Sequence, residues 1–129
     1  MDTDERTARA PARRHPRQRY YPWIESLFRV LDDIDRTAAA RWRERPDAAP
    51  SNTSAHALDA QAARLRALLR EGCREQFVTE EFVGACEGLI AACARLAEGD
   101  GRDARRISPH RFDRALRACR RAVFMTEAP

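Results

Sequence analysis

Four cysteines and three histidines, with a run of aspartates at Asp32, Asp33 and Asp35, are the residues of this 129-residue chain best able to bind a metal or to move protons. A metal site needs ligands close together, as in two cysteines separated by two residues or two histidines separated by three. Here Cys73, Cys86, Cys93 and Cys119 are separated by 12, 6 and 25 residues, and His15, His56 and His110 are scattered. The spacing predicts no metal and no bound cofactor. Cys86 and Cys93 fall two turns apart on one helix face, roughly 10 Å, which is too far for a disulfide. The pattern suits reduced thiols used as small core residues. The three aspartates have no companion residues that would enclose them, so they read as a solvated face. No glycine-rich loop follows a strand to cradle phosphate, because Gly99 and Gly101 stop a helix instead. No Ser/His/Asp order suggests itself either. These residue types in this arrangement point away from an enzyme.

The elements that carry these residues are helical. Charged residues make up 34% of the chain, so the apolar residues must be concentrated, and from Trp23 onward they are. All 24 basic residues are arginine, and with the heavy use of alanine this reflects G- and C-rich codons. Residues 1–19 hold six arginines against three acids and no apolar period; they predict a disordered basic arm. Residues 20–126 hold nearly balanced charge and predict a single helical domain. Neither a signal peptide nor an apolar run of the ~18 residues a membrane span needs is present, so the expected location is cytoplasmic.

Ile24, Leu27, Phe28, Leu31 and Ile34 make a helical stripe, with Pro22 in the first turn, a break near Asp35–Thr37 allowed, and Pro46 as the end. Ser54 is the expected N-cap of a second helix striped by Leu58, Ala62, Leu65 and Leu69, which Gly72 weakens or ends. Thr79 caps a third helix with Glu80 and Glu81 in its first turn. From Phe82 to Ala97 that helix carries only Glu87 and Arg95 as charges, which predicts burial on all sides, with Gly84 and Gly88 letting neighbours approach. Ser108 and Pro109 open a last helix with Phe112, Ala115, Leu116, Cys119 and Val123 on one face and five arginines on the other. The fold class is therefore all-α, a compact helical bundle around a central hydrophobic helix.

This order of elements resembles the small Bcl-2-like proteins of poxviruses. The quoted segments are an amphipathic "LFRVLDDID" helix, a leucine-striped helix ending near Gly72, a nearly uncharged central helix, and "RFDRALRACRRAVF". The likeness covers about Tyr20 to Phe124. "LLREGCREQF" has a leucine, three residues, then Gly72, as in a homology-3 segment, but Cys73 stands where that motif has an acid and Glu75 where it has an apolar residue. The resemblance implies a Bcl-2-like fold and a binding module without an active site. It implies a host signalling or pro-apoptotic protein as partner, inhibition of innate immune or apoptotic signalling, and a homodimer in several members.

The residues that would meet a partner are Trp42, flanked by arginines, together with Trp23, Phe28, Leu65, Leu68 and Gly72. For each, a place in the core is the competing role. Two alternatives stand beside this reading. One is an arginine-rich helical protein that binds nucleic acid through residues 6–19 and the Arg111–Arg121 face. The other is a bacterial four-helix-bundle protein with a ligand pocket or an activity of its own.

Overall fold

The computed structural model describes residues 16–43, 53–98 and 107–126. They form four α-helices: α1 (Pro16–Arg43), α2 (Thr53–Arg74), α3 (Glu80–Glu98) and α4 (Pro109–Ala122). A 3-10 turn, Val123–Met125, closes the described chain. There is no strand among the described residues, and no helix is long and apolar enough to cross a membrane. The chain is an all-α bundle.

The helices run up, down, up and down. Trp23, Thr37 and Arg41 of α1 bond Leu68, Gln61 and Ser54 of α2, so these two helices are antiparallel. Trp23 lies against Phe82 while Arg41 reaches Leu96, so α1 and α3 are parallel. α2 packs along both α1 and α3, and α4 packs on α3 and meets α1, but α2 and α4 do not touch. The cross-section is thus a rhombus with α1 and α3 across its short diagonal.

The local signals explain most of these elements. Pro16 opens α1, a position that suits proline because the first amide has no helical acceptor. Pro22 therefore lies inside α1 rather than in its first turn, and the helix runs unbroken through Asp35–Thr37. Thr79 caps α3 by accepting from the Phe82 amide at 3.2 Å, and Ser108 caps α4 by accepting from the Arg111 amide at 3.2 Å. Ser54 does not cap α2, which begins at Thr53; it is buried and accepts from Arg41. Gly72 does not end α2 either. The stop is Gln76, whose φ of 62° is left-handed, with the Phe77 amide donating to Gly72 O and the Gln76 amide to Cys73 O. That is a Schellman closure with glutamine where glycine is usual.

Gly72 serves packing instead. A Cβ there would stand 2.7 Å from Trp23 Cζ2 and 2.8 Å from Val78 Cγ1. The indole of Trp23 fills this gap, donates to Leu68 O at 2.7 Å, and is ringed by Tyr20, Phe77 and Phe82. At the other end of the bundle Arg41 is buried and donates to Leu96 O and Ala97 O, both at 3.1 Å, capping the last carbonyls of α3 with a cation where the helix dipole favours one.

One expectation fails here. α3 is not buried on all sides. Phe82, Cys86, Leu89, Cys93 and Leu96 are enclosed, but Gly84, Glu87, Gly88, Ala91 and Ala94 face outward. A four-helix rhombus leaves every helix one outer face, and α3 fills its own with small apolar residues rather than charges. The low polarity around this helix thus marks small exposed side chains rather than full enclosure. Gly84 and Gly88 have no neighbour within 4 Å of an added Cβ, so within the chain they bring no helix closer.

Candidate protein-docking surface

Along the outer seam of α2 and α3 runs an open groove of about 710 Å³. Its floor is Leu69, Val83 and Ile90, and Ala91 and Ala94 extend it outward on α3. Arg66 and Arg70, one turn apart, stand along the α2 rim, and Glu87 stands on the α3 side. A shallower extension of about 410 Å³ continues past Cys73 and Val83 to Gly84 and Thr79 at the α2–α3 turn. Arg66, Arg70 and Glu87 form no ion pair with any described residue. Several other arginines are paired within the chain, while Arg29, Arg43, Arg74, Arg111, Arg114 and Arg121 are, like Arg66 and Arg70, in no ion pair among the described residues. Arg64 and Arg36 share Asp33, Arg120 meets Asp32 at 2.9 Å and Asp35 at 3.6 Å, and Arg117 meets Asp113 at 2.9 Å. The three aspartates of α1 are thus an acidic ridge clasped by arginines of α2 and α4.

Gly84 and Gly88 sharpen the description. Glycine in a helix interior costs roughly 0.5–1 kcal/mol relative to alanine. Nothing in the chain needs the missing side chains, because open space surrounds both positions. Together with Ala91 they leave a smooth strip of backbone beside the groove.

Further exposed apolar residues lie in the first half of α1 and in the closing 3-10 turn. Tyr21, Phe28, Phe124 and Met125 are all exposed, Phe124 at 84%. The turn that carries Phe124 is held in place: Thr126 donates to Val123 O at 2.7 Å, which leaves Tyr20 to donate to Thr126 Oγ1 at 2.8 Å.

The residues expected to meet a partner are placed as follows. Trp23, Leu65 and Gly72 are buried and hold α1, α2 and the α2–α3 turn together, so they present no surface in this fold. Leu68 is half-buried on the α1 side, and its carbonyl accepts from Trp23. Trp42 is half-buried, edge-on to Phe112 at 5.2 Å between ring centres. Phe28 alone of the six is exposed, because the buried stripe of α1 runs through Trp23, Leu27, Val30, Leu31 and Ile34. The sequence places Arg66 and Arg70 on the solvent side of α2, but it gives no sign of the groove they share with Gly84 and Glu87 of α3, nor of Gly88 exposed beside it. The two glycines four residues apart and the two arginines four residues apart take on that meaning only once α3 is known to have an outer face.

The thiols divide by burial. Cys86, Cys93 and Cys119 are buried, and Cys73 is exposed in the groove. The thiols of Cys119 and Cys86 share a hydrogen bond across α4 and α3 at 3.4 Å. That hydrogen bond, burial and the neighbouring thiol all push the Cys86 thiol well above its ordinary range. Burial first, then Cys119 and Asp59, push Cys93 from 9.0 up to about 12. These are packing thiols held in the protonated form. Among the described residues no three His, Cys, Asp or Glu side chains converge as metal ligands would. The basic arm expected at residues 1–19 falls mostly outside the described residues; its last part, from Pro16, begins α1, and Arg19 pairs with Glu75 at 3.0 Å. No protein-family model, no curated protein and no solved structure significantly matches the chain.

Proposed function

We propose that this chain is a non-enzymatic protein-interaction module that works through the outer face of α2 and α3. The observation that carries the reading is the open apolar groove flanked by Arg66 and Arg70, which have no partner among the described residues. The buried side chains of the four helices form one core, and apolar surface remains outside it in this groove as well as at Tyr21, Phe28, Phe124 and Met125. A groove between two helices accepts another helix by its apolar i, i+3, i+4 and i+7 positions, with charges at the rim setting orientation.

The finer reading, an inhibitor of host innate immune or apoptotic signalling, rests on the order of elements alone. The outward face of α3 departs from the wrapped central helix on which that resemblance stands. Nucleic-acid binding through α4 has less support. Of the five arginines of α4, Arg111, Arg114 and Arg121 form no ion pair among the described residues, but Arg117 and Arg120 are paired with acids, and Asp32 and Asp35 lie beside Arg120, where they would repel phosphate.

The test is selection of displayed amphipathic helices against the full chain, with Ala91→Glu and Arg70→Glu variants as controls. Binders should carry an apolar stripe flanked by acids, and both variants should release them. Binders that ignore both substitutions, or duplex DNA binding that falls steeply with salt in place of helix binding, would remove the proposal.

A further inference from the structure

The same face has a symmetry that names its occupant. The groove carries opposite charge on its two sides, with Arg66 and Arg70 on α2 and Glu87 on α3. Arg70 lies one turn before the end of α2 and Glu87 two turns after the start of α3. In an antiparallel pair those positions differ in height by less than about one turn. Both side chains line the groove, yet they form no ion pair with each other.

We infer that a second copy of this chain occupies the α2–α3 groove, related to the first by a twofold axis running along it. The inference rests on the reading of this face as protein-binding. A twofold axis in that direction keeps height along the groove and exchanges its two sides. Arg70 of one copy then stands over Glu87 of the other, and the second pair follows by symmetry, as an isologous contact requires. An axis across the groove would instead bring α2 over α2 and arginine over arginine. The same operation lays α2 of one copy antiparallel on α3 of the other. Gly84 and Gly88 give α3 an outer strip without side chains, and Ala63 and Ala67, exposed on the same side of α2 as Arg66 and Arg70, give α2 a matching one. Small residues on both helices let the backbones approach closely, so the open space beside each glycine is taken up by the facing helix. Ile90 and Val83, which line the groove, are covered in the same step.

The experiment is sedimentation equilibrium of the full 129-residue chain from micromolar to millimolar concentration. A reversible dimer is expected. Arg70→Glu and Glu87→Arg should each weaken it by about tenfold or more, through like charges facing across the contact. The chain carrying both changes should recover most of the loss, because the exchanged charges pair again. Gly88→Leu, whose Cβ meets no atom of the chain within 4 Å, should give a folded monomer by circular dichroism. A chain that stays monomeric at millimolar concentration overturns the inference, and so does a dimer indifferent to Arg70→Glu and Gly88→Leu. If that monomer still binds displayed acidic helices through the groove, the second copy is excluded and the protein-binding reading stands. A monomer that binds neither overturns both.

Discussion

Glycine means different things at different positions in this chain, and single substitutions separate them. At Gly72 a methyl group would enter the gap filled by Trp23 and Val78, where an aromatic ring held by its own hydrogen bond cannot swing away. Gly72→Ala is expected to cost about 1–3 kcal/mol by overpacking, despite the better helix propensity of alanine. Gly88→Ala meets nothing and should stabilise the dilute chain by roughly 0.5–1 kcal/mol. Opposite signs in urea melts of the two variants, at concentrations where the chain is monomeric, are the expected result; two losses of equal size would mean that α3 is enclosed. Gln76 makes the converse case, a side chain where the backbone favours none. Gln76→Gly should stabilise by about 1 kcal/mol, by relieving the left-handed strain.

At the scale of the helix, the sequence was legible wherever one apolar stripe met one clear cap. Leu58, Ala62, Leu65 and Leu69 are all buried in α2, and Thr79 and Ser108 cap as their types suggest. The stripe of α1 was harder to read, because Trp23 and Val30 point inward while Phe28, equally apolar, points out. Periodicity gives a stripe but not its phase when apolar residues flank it on both sides. For α3 hydropathy failed in a specific way: glycine and alanine carry no charge, and so mimic core residues while lying in water. The groove itself could not be read from a single helix, since it exists only between two. What α3 and α4 do share is a thiol seam, and it has a signature in alkali. Below the ordinary thiol range both folded and unfolded chains keep their protons, and pH has no effect. Above it the unfolded chain sheds a proton that Cys93 keeps until about pH 12. Stability should then fall by about 1.4 kcal/mol per pH unit for each such thiol. Cys86 adds to the slope in the same direction. Thermal melts from pH 8 to 11 should show the decline, and Cys93→Ala should flatten it; an unchanged slope would remove Cys93 from the seam. In the native chain at neutral pH, a thiol reagent should find Cys73 quickly and the other three only at the rate of opening.

The whole molecule is fastened at its two ends by different chemistry, because α2 and α4 never meet to brace it across the long diagonal. One end is an aromatic cluster about Trp23, closed by the Tyr20–Thr126 hydrogen bond, where burial of apolar surface dominates. At the other end, beside the Trp42–Phe112 contact, one guanidinium gathers the helices. Arg41 ties α1 to the last carbonyls of α3 and to Ser54 at the start of α2, so three helices converge on a planar group with several donors. Ion pairs on the surface cannot replace it, since exposed pairs such as Arg120 with Asp32 contribute at most about 1 kcal/mol. Arg41→Ala should cost about 2–4 kcal/mol, because two buried carbonyls lose a charged donor together. Arg41→Lys should recover little, since a single ammonium cannot span acceptors on separate residues in the way a fork does. Hydrogen exchange gives the decisive measurement. In Arg41→Ala, protection should drop first at the last turn of α3 and the first turn of α2, while amides packed around Trp23 keep theirs. Uniform loss along all four helices would mean that the bundle opens as a single unit and that Arg41 only adds to its total stability.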